Sequence, residues 1–130
     1  MADYRTALGR ARGLGSAKHG VGHFIGQRVS AVALIVLALW GVWSALSIAA
    51  SGYDGARQWL GEPVNAALLV LLALAGFYHV RIGTGVIIED YIHRPATKAT
   101  LLIANTFVCL AGAALTAICL LKVAFAGGPS

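Results

Sequence analysis

Charge is scarce in this chain. Of its 130 residues, five are acidic and ten are Lys or Arg, 12% in all, against about 25% in an ordinary soluble domain. So little charge excludes the usual hydrated globular surface. There are only two cysteines, Cys109 and Cys119, in one apolar run. On a helix, ten residues leave them roughly 80° apart, so they read as packing residues rather than a disulfide or a metal pair. The chain has no internal repeat and no low-complexity tract.

What remains is apolar: 58% of residues, gathered into blocks rather than alternating with polar ones. Blocks at about 29–51, 64–89 and 99–126 each exceed the roughly 20 residues a membrane-spanning helix needs. Three spans consume nearly the whole chain and leave no room for a soluble catalytic domain. Any chemistry lies in the bilayer, at its surface or on a partner. The expected fold is an all-α membrane protein. It has three transmembrane helices (about 29–51, 64–91 and 99–126), a cytoplasmic arm with an interfacial segment at 1–28, and a frayed end at 127–130.

The net charge of +5 does not indicate nucleic acid, because the basic residues flank the spans. Arg5, Arg10, Arg12, Lys18 and Arg28 precede the first span; Arg94 and Lys98 follow the second. Only Arg57 and Lys122 lie on the other side. The positive-inside bias places the N-terminus and the 90–98 loop in the cytoplasm, and the 52–63 loop and the C-terminus outside. The first span starts far from Met1, is too long for the core of a cleaved signal and is followed by two more. The arm is Arg-rich and acid-poor, which keeps a mitochondrial presequence as the weaker alternative. The expected site is a bacterial inner membrane, crossed three times, with a periplasmic C-terminus.

Some details refine these spans. SAKHGVGHFIGQR at 16–28 mixes glycine, two histidines and an aromatic, as an interfacial segment would. Trp40 and Trp43 lie too deep for an aromatic belt and should pack on protein or cofactor. Tyr53 and Trp59 suit interface anchors. Pro63 starts the second helix and Pro95 stops it. The A-G-A-A stretch at 111–114 reads as a close-packing face.

Polar side chains inside a membrane helix cost roughly 2–4 kcal/mol each on insertion scales, so each needs a reason. His79 lies about 12 residues, or some 18 Å, from Tyr91 at the cytoplasmic end. On a helical wheel Gly83, Val86 and Asp90 fall within about 40° of it. Gly83 leaves a gap in that stripe, such as a flat group bound to the imidazole would need. Two readings stand: a hydrogen bond to a neighbouring helix with Gly83 as a packing site, or an axial haem ligand. His19, His23 and His93 all sit at the cytoplasmic edge. A second axial ligand would therefore come from another chain. Asp90 and Tyr91 could be a solvated acid and an interfacial aromatic. They could also line a pocket for a lipid-soluble head group, the hydroxyl donating to a quinone carbonyl and the carboxylate relaying protons. Glu89, His93 and Arg94 read as surface charge. Arg81, about 200° from His79, must face a partner, a lipid phosphate or water.

The pattern H-x-x-x-G-x-x-x-x-x-x-D-Y, here His79, Gly83, Asp90 and Tyr91, resembles the hydrophobic membrane anchor (D) subunit of succinate dehydrogenase, respiratory complex II. The arm LGRARGLGSAKHGVGHFIGQRVSA is similar to the alphaproteobacterial form of that arm. The H-R-x-[ST]-G pattern of the sister C subunit is absent. The resemblance spans arm, helices and topology. It implies pairing with a cytochrome b-type C subunit and docking of the iron-sulphur and flavoprotein subunits. It implies haem b on His79, with Gly83 giving clearance, and ubiquinone at Tyr91 with Asp90 beside it. Arg28 would lie near the haem propionates and the quinone pocket. His23 falls near a family histidine, one position out of register, and Arg81 is not accounted for. Such a subunit passes electrons from succinate to quinone without itself oxidising succinate. The alternatives are a fumarate reductase anchor or a cofactor-free structural membrane protein.

Overall fold

The computed structural model describes residues 6–12 and 20–126. Arg5, Lys18, His19 and the terminal GGPS lie outside them. Every element among the described residues is helical. A short α1 (Ala7–Arg12) precedes α2 (Gly20–Ile48). A 3-10 turn (Ala49–Ser51) leads into α3 (Gly52–Gly61), and α4 (Pro63–Tyr91) and α5 (Pro95–Ala126) complete the chain.

α2, α4 and α5 are the three helices long and apolar enough to cross a membrane. At 29 residues each for α2 and α4, they extend about 43 Å, well beyond a hydrocarbon core of about 30 Å. The apolar spans are thus the middles of longer helices. α2 already begins at Gly20, so residues 20–28, expected as interfacial, continue the spanning helix. Their glycines and polar residues interrupt hydropathy without breaking the backbone ladder.

The 52–63 stretch, expected as a loop, contains α3. Gly52 turns the chain with φ of 66°, a left-handed conformation that suits glycine. Asp54 then sits in the first turn of α3, where an acid complements the helix dipole. Trp59 of α3 stacks on Trp40 of α2, centroids 5.7 Å apart, so Trp40 packs on protein as expected. Trp43 is 73% exposed. Arg57 donates to the Ala126 carbonyl and Asn65 to the Trp59 carbonyl at 3.0 Å. These bonds join α3 to the ends of α5 and α4.

Pro63 occupies the first turn of α4, and Pro95 the first residue of α5. A proline there removes only an N–H that would be orphaned anyway. Pro95 therefore follows one helix and opens the next. The intervening turn is held by Lys98 Nζ donating to the Glu89 carbonyl at 2.8 Å, a cation at the C-terminal end of α4.

α4 packs against both α2 and α5, more extensively against α5. A Cβ built on Gly112 of α5 would meet the Phe77 ring at 2.5 Å, so glycine lets the ring lie on the α5 backbone. Cys109 and Ala113, on the same face, are buried. The 111–114 stretch is a close-packing face, as its composition predicts. Both cysteines are free thiols. On the α2 side a Cβ at Gly26 would meet the Tyr78 hydroxyl at 2.7 Å. Little else is enclosed: Leu37, Ala66, Ile82, Ser30 and Ser44 complete the buried set among the described residues. Long apolar faces such as Val32, Leu39, Leu46, Phe107 and Leu115 are left outward, as lipid or partner helices require.

Candidate functional site

His79 is half-buried in the middle of α4. Its Nδ1 lies 2.9 Å from the hydroxyl of Ser30 on α2. Ser30 is itself buried, and its Oγ lies 3.0 Å from the Gln27 carbonyl. The imidazole also lines an apolar groove of about 580 Å³ that draws walls from three helices. Leu34 comes from α2, Leu72, Gly76 and Val80 from α4, and Thr116 and Leu120 from α5. A helix-to-helix hydrogen bond and an exposed ring edge in an apolar groove therefore coexist. The two readings of His79 do not exclude each other.

One turn further on, Gly83 has nothing within 4 Å of where a Cβ would stand. Its flank is open space rather than a helix contact. These features fit a flat, apolar, iron-bearing group: a single imidazole, an apolar wall and a side-chain-free flank. His79 and Gly83 would be the residues of this chain that accommodate it.

The other expected residues lie apart from His79. Asp90 and Tyr91 end α4 and are exposed, Tyr91 at 77%. The backbone there is capped by the Ile92 amide bonding to the Ile88 carbonyl at 3.0 Å. Arg28 is exposed on α2, with its guanidinium over the Phe24 ring, 5.2 Å from the centroid. Glu89, His93 and Arg94 are exposed as well.

Arg81 has a place in the fold. It turns to α5, where Nε donates to Thr106 Oγ1 at 3.3 Å. Asn105 Nδ2 in turn donates to the Arg81 carbonyl at 2.9 Å. Arg81, Glu89, Asn105 and Thr106 join His23 of α2 around a cavity of about 210 Å³. This polar cavity and the His79 groove share no lining residue.

Ser30 is the residue that sequence reasoning passed over. One serine in an apolar run reads as packing. The available signal was depth: it lies about ten residues into α2 and His79 about twelve from the end of α4, roughly 15–18 Å in each case.

The family described as succinate dehydrogenase/fumarate reductase transmembrane subunit matches residues 2–119. A succinate dehydrogenase hydrophobic membrane anchor subunit of Rickettsia bellii (strain RML369-C) is 33% identical over 102 residues, covering 78% of this chain and 82% of the relative. The protein of the same name from Rickettsia conorii (strain ATCC VR-613 / Malish 7) is 28% identical over 109 residues, 83% of this chain and 86% of that one. No solved structure matches the chain significantly.

Proposed function

The chain belongs to the succinate dehydrogenase/fumarate reductase transmembrane subunit family, and from that premise we propose that it anchors a succinate:ubiquinone oxidoreductase and helps bind haem b and ubiquinone. It is a multi-pass membrane anchor subunit by family and by its three spanning helices. The succinate direction is supported by the names of both relatives. The reading extends to a C-subunit partner in the bilayer and to iron-sulphur and flavoprotein subunits on the cytoplasmic face. The bilayer is a bacterial inner membrane, with the N-terminus inside and the C-terminus in the periplasm.

The observation that carries the haem assignment is His79 on the wall of an apolar groove, one turn from the open flank of Gly83. A bare imidazole edge among aliphatic side chains is costly unless something binds it. Haem b, when bound, supplies a one-electron carrier. His79 would give one axial nitrogen and a partner chain the other. Arg28, on the cytoplasmic side and fully charged, would neutralise propionates.

Tyr91 and Asp90 would receive the ubiquinone head group. The phenol donates a hydrogen bond to a quinone carbonyl, and the carboxylate orients donors or passes protons at the membrane surface. Both are exposed on this chain, so subunits docked there would close the pocket. Electrons from a cytoplasmic iron-sulphur subunit would meet quinone on the side where α4 ends.

The test is a dithionite-reduced minus oxidised optical spectrum of the purified complex, wild type beside His79→Leu. A b-type signal lost or shifted in the variant is the expected result. A complex without haem, or a signal indifferent to His79→Leu, would remove the haem assignment.

A further inference from the structure

We infer that Ser30 selects the tautomer of His79 and sets the donor strength of the nitrogen that faces the groove. The inference rests on His79 being a haem ligand. It adds a positioning residue on α2, a helix that carries no ligand itself.

The argument is a count of protons. Ser30 Oγ has two neighbours: the Gln27 carbonyl at 3.0 Å and His79 Nδ1 at 2.9 Å. A carbonyl can only accept, and a hydroxyl has one proton to give. The proton goes to Gln27, so Oγ is left to accept from Nδ1. His79 then carries its hydrogen on Nδ1 and its lone pair on Nε2. The opposite tautomer would leave two donors, Ser30 and Nε2, with only one acceptor satisfied. Among the described residues no hydrogen-bond partner is found for Nε2. The groove around the ring is aliphatic and aromatic apart from Thr116. Orphaned N–H groups are rarer in proteins than under-used acceptors. Only the Nδ1–H form satisfies both protons.

That form is also the one an iron ion requires, since it leaves Nε2 free to donate. A hydrogen bond at the remote nitrogen fixes ring orientation and raises the basicity of the ligating one. Here the acceptor is itself polarised by its donation to a helix carbonyl, which strengthens the chain of bonds. Burial to 6% exposure keeps Ser30 from exchanging this contact for water.

The test uses the assembled complex purified from membranes, with Ser30→Ala, Ser30→Cys and Ser30→Thr beside wild type. The readouts are haem content, the midpoint potential of the haem from a spectroelectrochemical titration, and the g-values of the ferric haem by electron paramagnetic resonance. Ser30→Ala should keep the haem but raise its potential, because a less basic imidazole stabilises ferric iron less, and should shift the g-values as the ring is released. Ser30→Thr keeps the hydroxyl and should restore both. If Ser30→Ala fails to assemble, Ser30→Cys, with a weak sulfur acceptor, should show the raised potential. A potential and g-values equal to wild type in Ser30→Ala or Ser30→Cys would overturn the inference while His79 remains a ligand. Equal loss of haem in Ser30→Ala and Ser30→Thr would overturn it too, reducing Ser30 to packing. A wild-type complex without haem, or a haem untouched by His79→Leu, would remove the underlying assignment and this inference together.

Discussion

The two faces of α4 solve different problems. Toward α5 the helix is sealed: the Phe77 ring lies on the Gly112 backbone, and Arg81 is held by Asn105 and Thr106. Toward α2 there is close approach at Gly26, a single side-chain bond from Ser30 to His79, and a groove left open beside it. His79 and Arg81, two residues apart, fall on opposite sides of this division. An ionisable residue in a membrane helix is by default a functional candidate. The contrast teaches that such a residue marks a binding site only where its surroundings leave a valence or a space unfilled. Arg81 has partners within the chain, and His79 has a partner on one nitrogen only.

The comparison can be broken most sharply at the sealed face. Gly112→Val should force the Phe77 ring to move and destabilise the α4–α5 pair by about 1–3 kcal/mol, the usual range for overpacking. An unfolding titration in detergent would measure it. Phe77→Leu in the same chain should return part of the loss. If Gly112→Val is silent, the two helices are not held as closely as described. At the functional end of α4, Tyr91→Phe should lower quinone reduction roughly tenfold, the worth of about one hydrogen bond. Succinate oxidation by an artificial dye should persist. Equal loss of both activities would point to failed assembly. The smallest effect is expected for Asn105→Ala, which removes one interhelical bond worth roughly 0.6 kcal/mol. It should leave the haem spectrum and potential as they are. A shifted haem in that variant would mean the two faces are not independent.

Much of the architecture is legible in the apolar blocks, because length and hydropathy alone define a span. What hydropathy cannot see is helix outside the hydrocarbon. Residues 20–28 and 52–61 are helical, yet Gly20, Gly22, Gly26, Gly52 and Gly55 make both stretches look like loops. Pro95 shows a related ambiguity, since the residue that cannot continue one helix suits the first turn of the next. At the site, the stripe of His79, Gly83 and Asp90 follows from helical periodicity within one helix. Ser30, Asn105 and Thr106 are invisible to that reasoning. Each matters through a neighbour on another helix, which only the packed arrangement brings within reach.

The link from Tyr91 to Pro95 contains three residues, Ile92–Arg94. Even fully extended, four residue steps reach only about 14 Å, little more than the 8–10 Å between packed helix axes. The cytoplasmic ends of α4 and α5 are thus tethered as neighbours before any side chain has found its place. α2 reaches α4 only through the 3-10 turn, α3 and Glu62, a path several times longer. Closing a short tether loses less chain entropy than closing a long one. During insertion the hairpin of α4 and α5 has the head start, and α2 arrives as the late component. The nitrogen of His79 acquires its Ser30 neighbour only at that last docking step, so a competent ligand is a sign that the subunit has finished assembling.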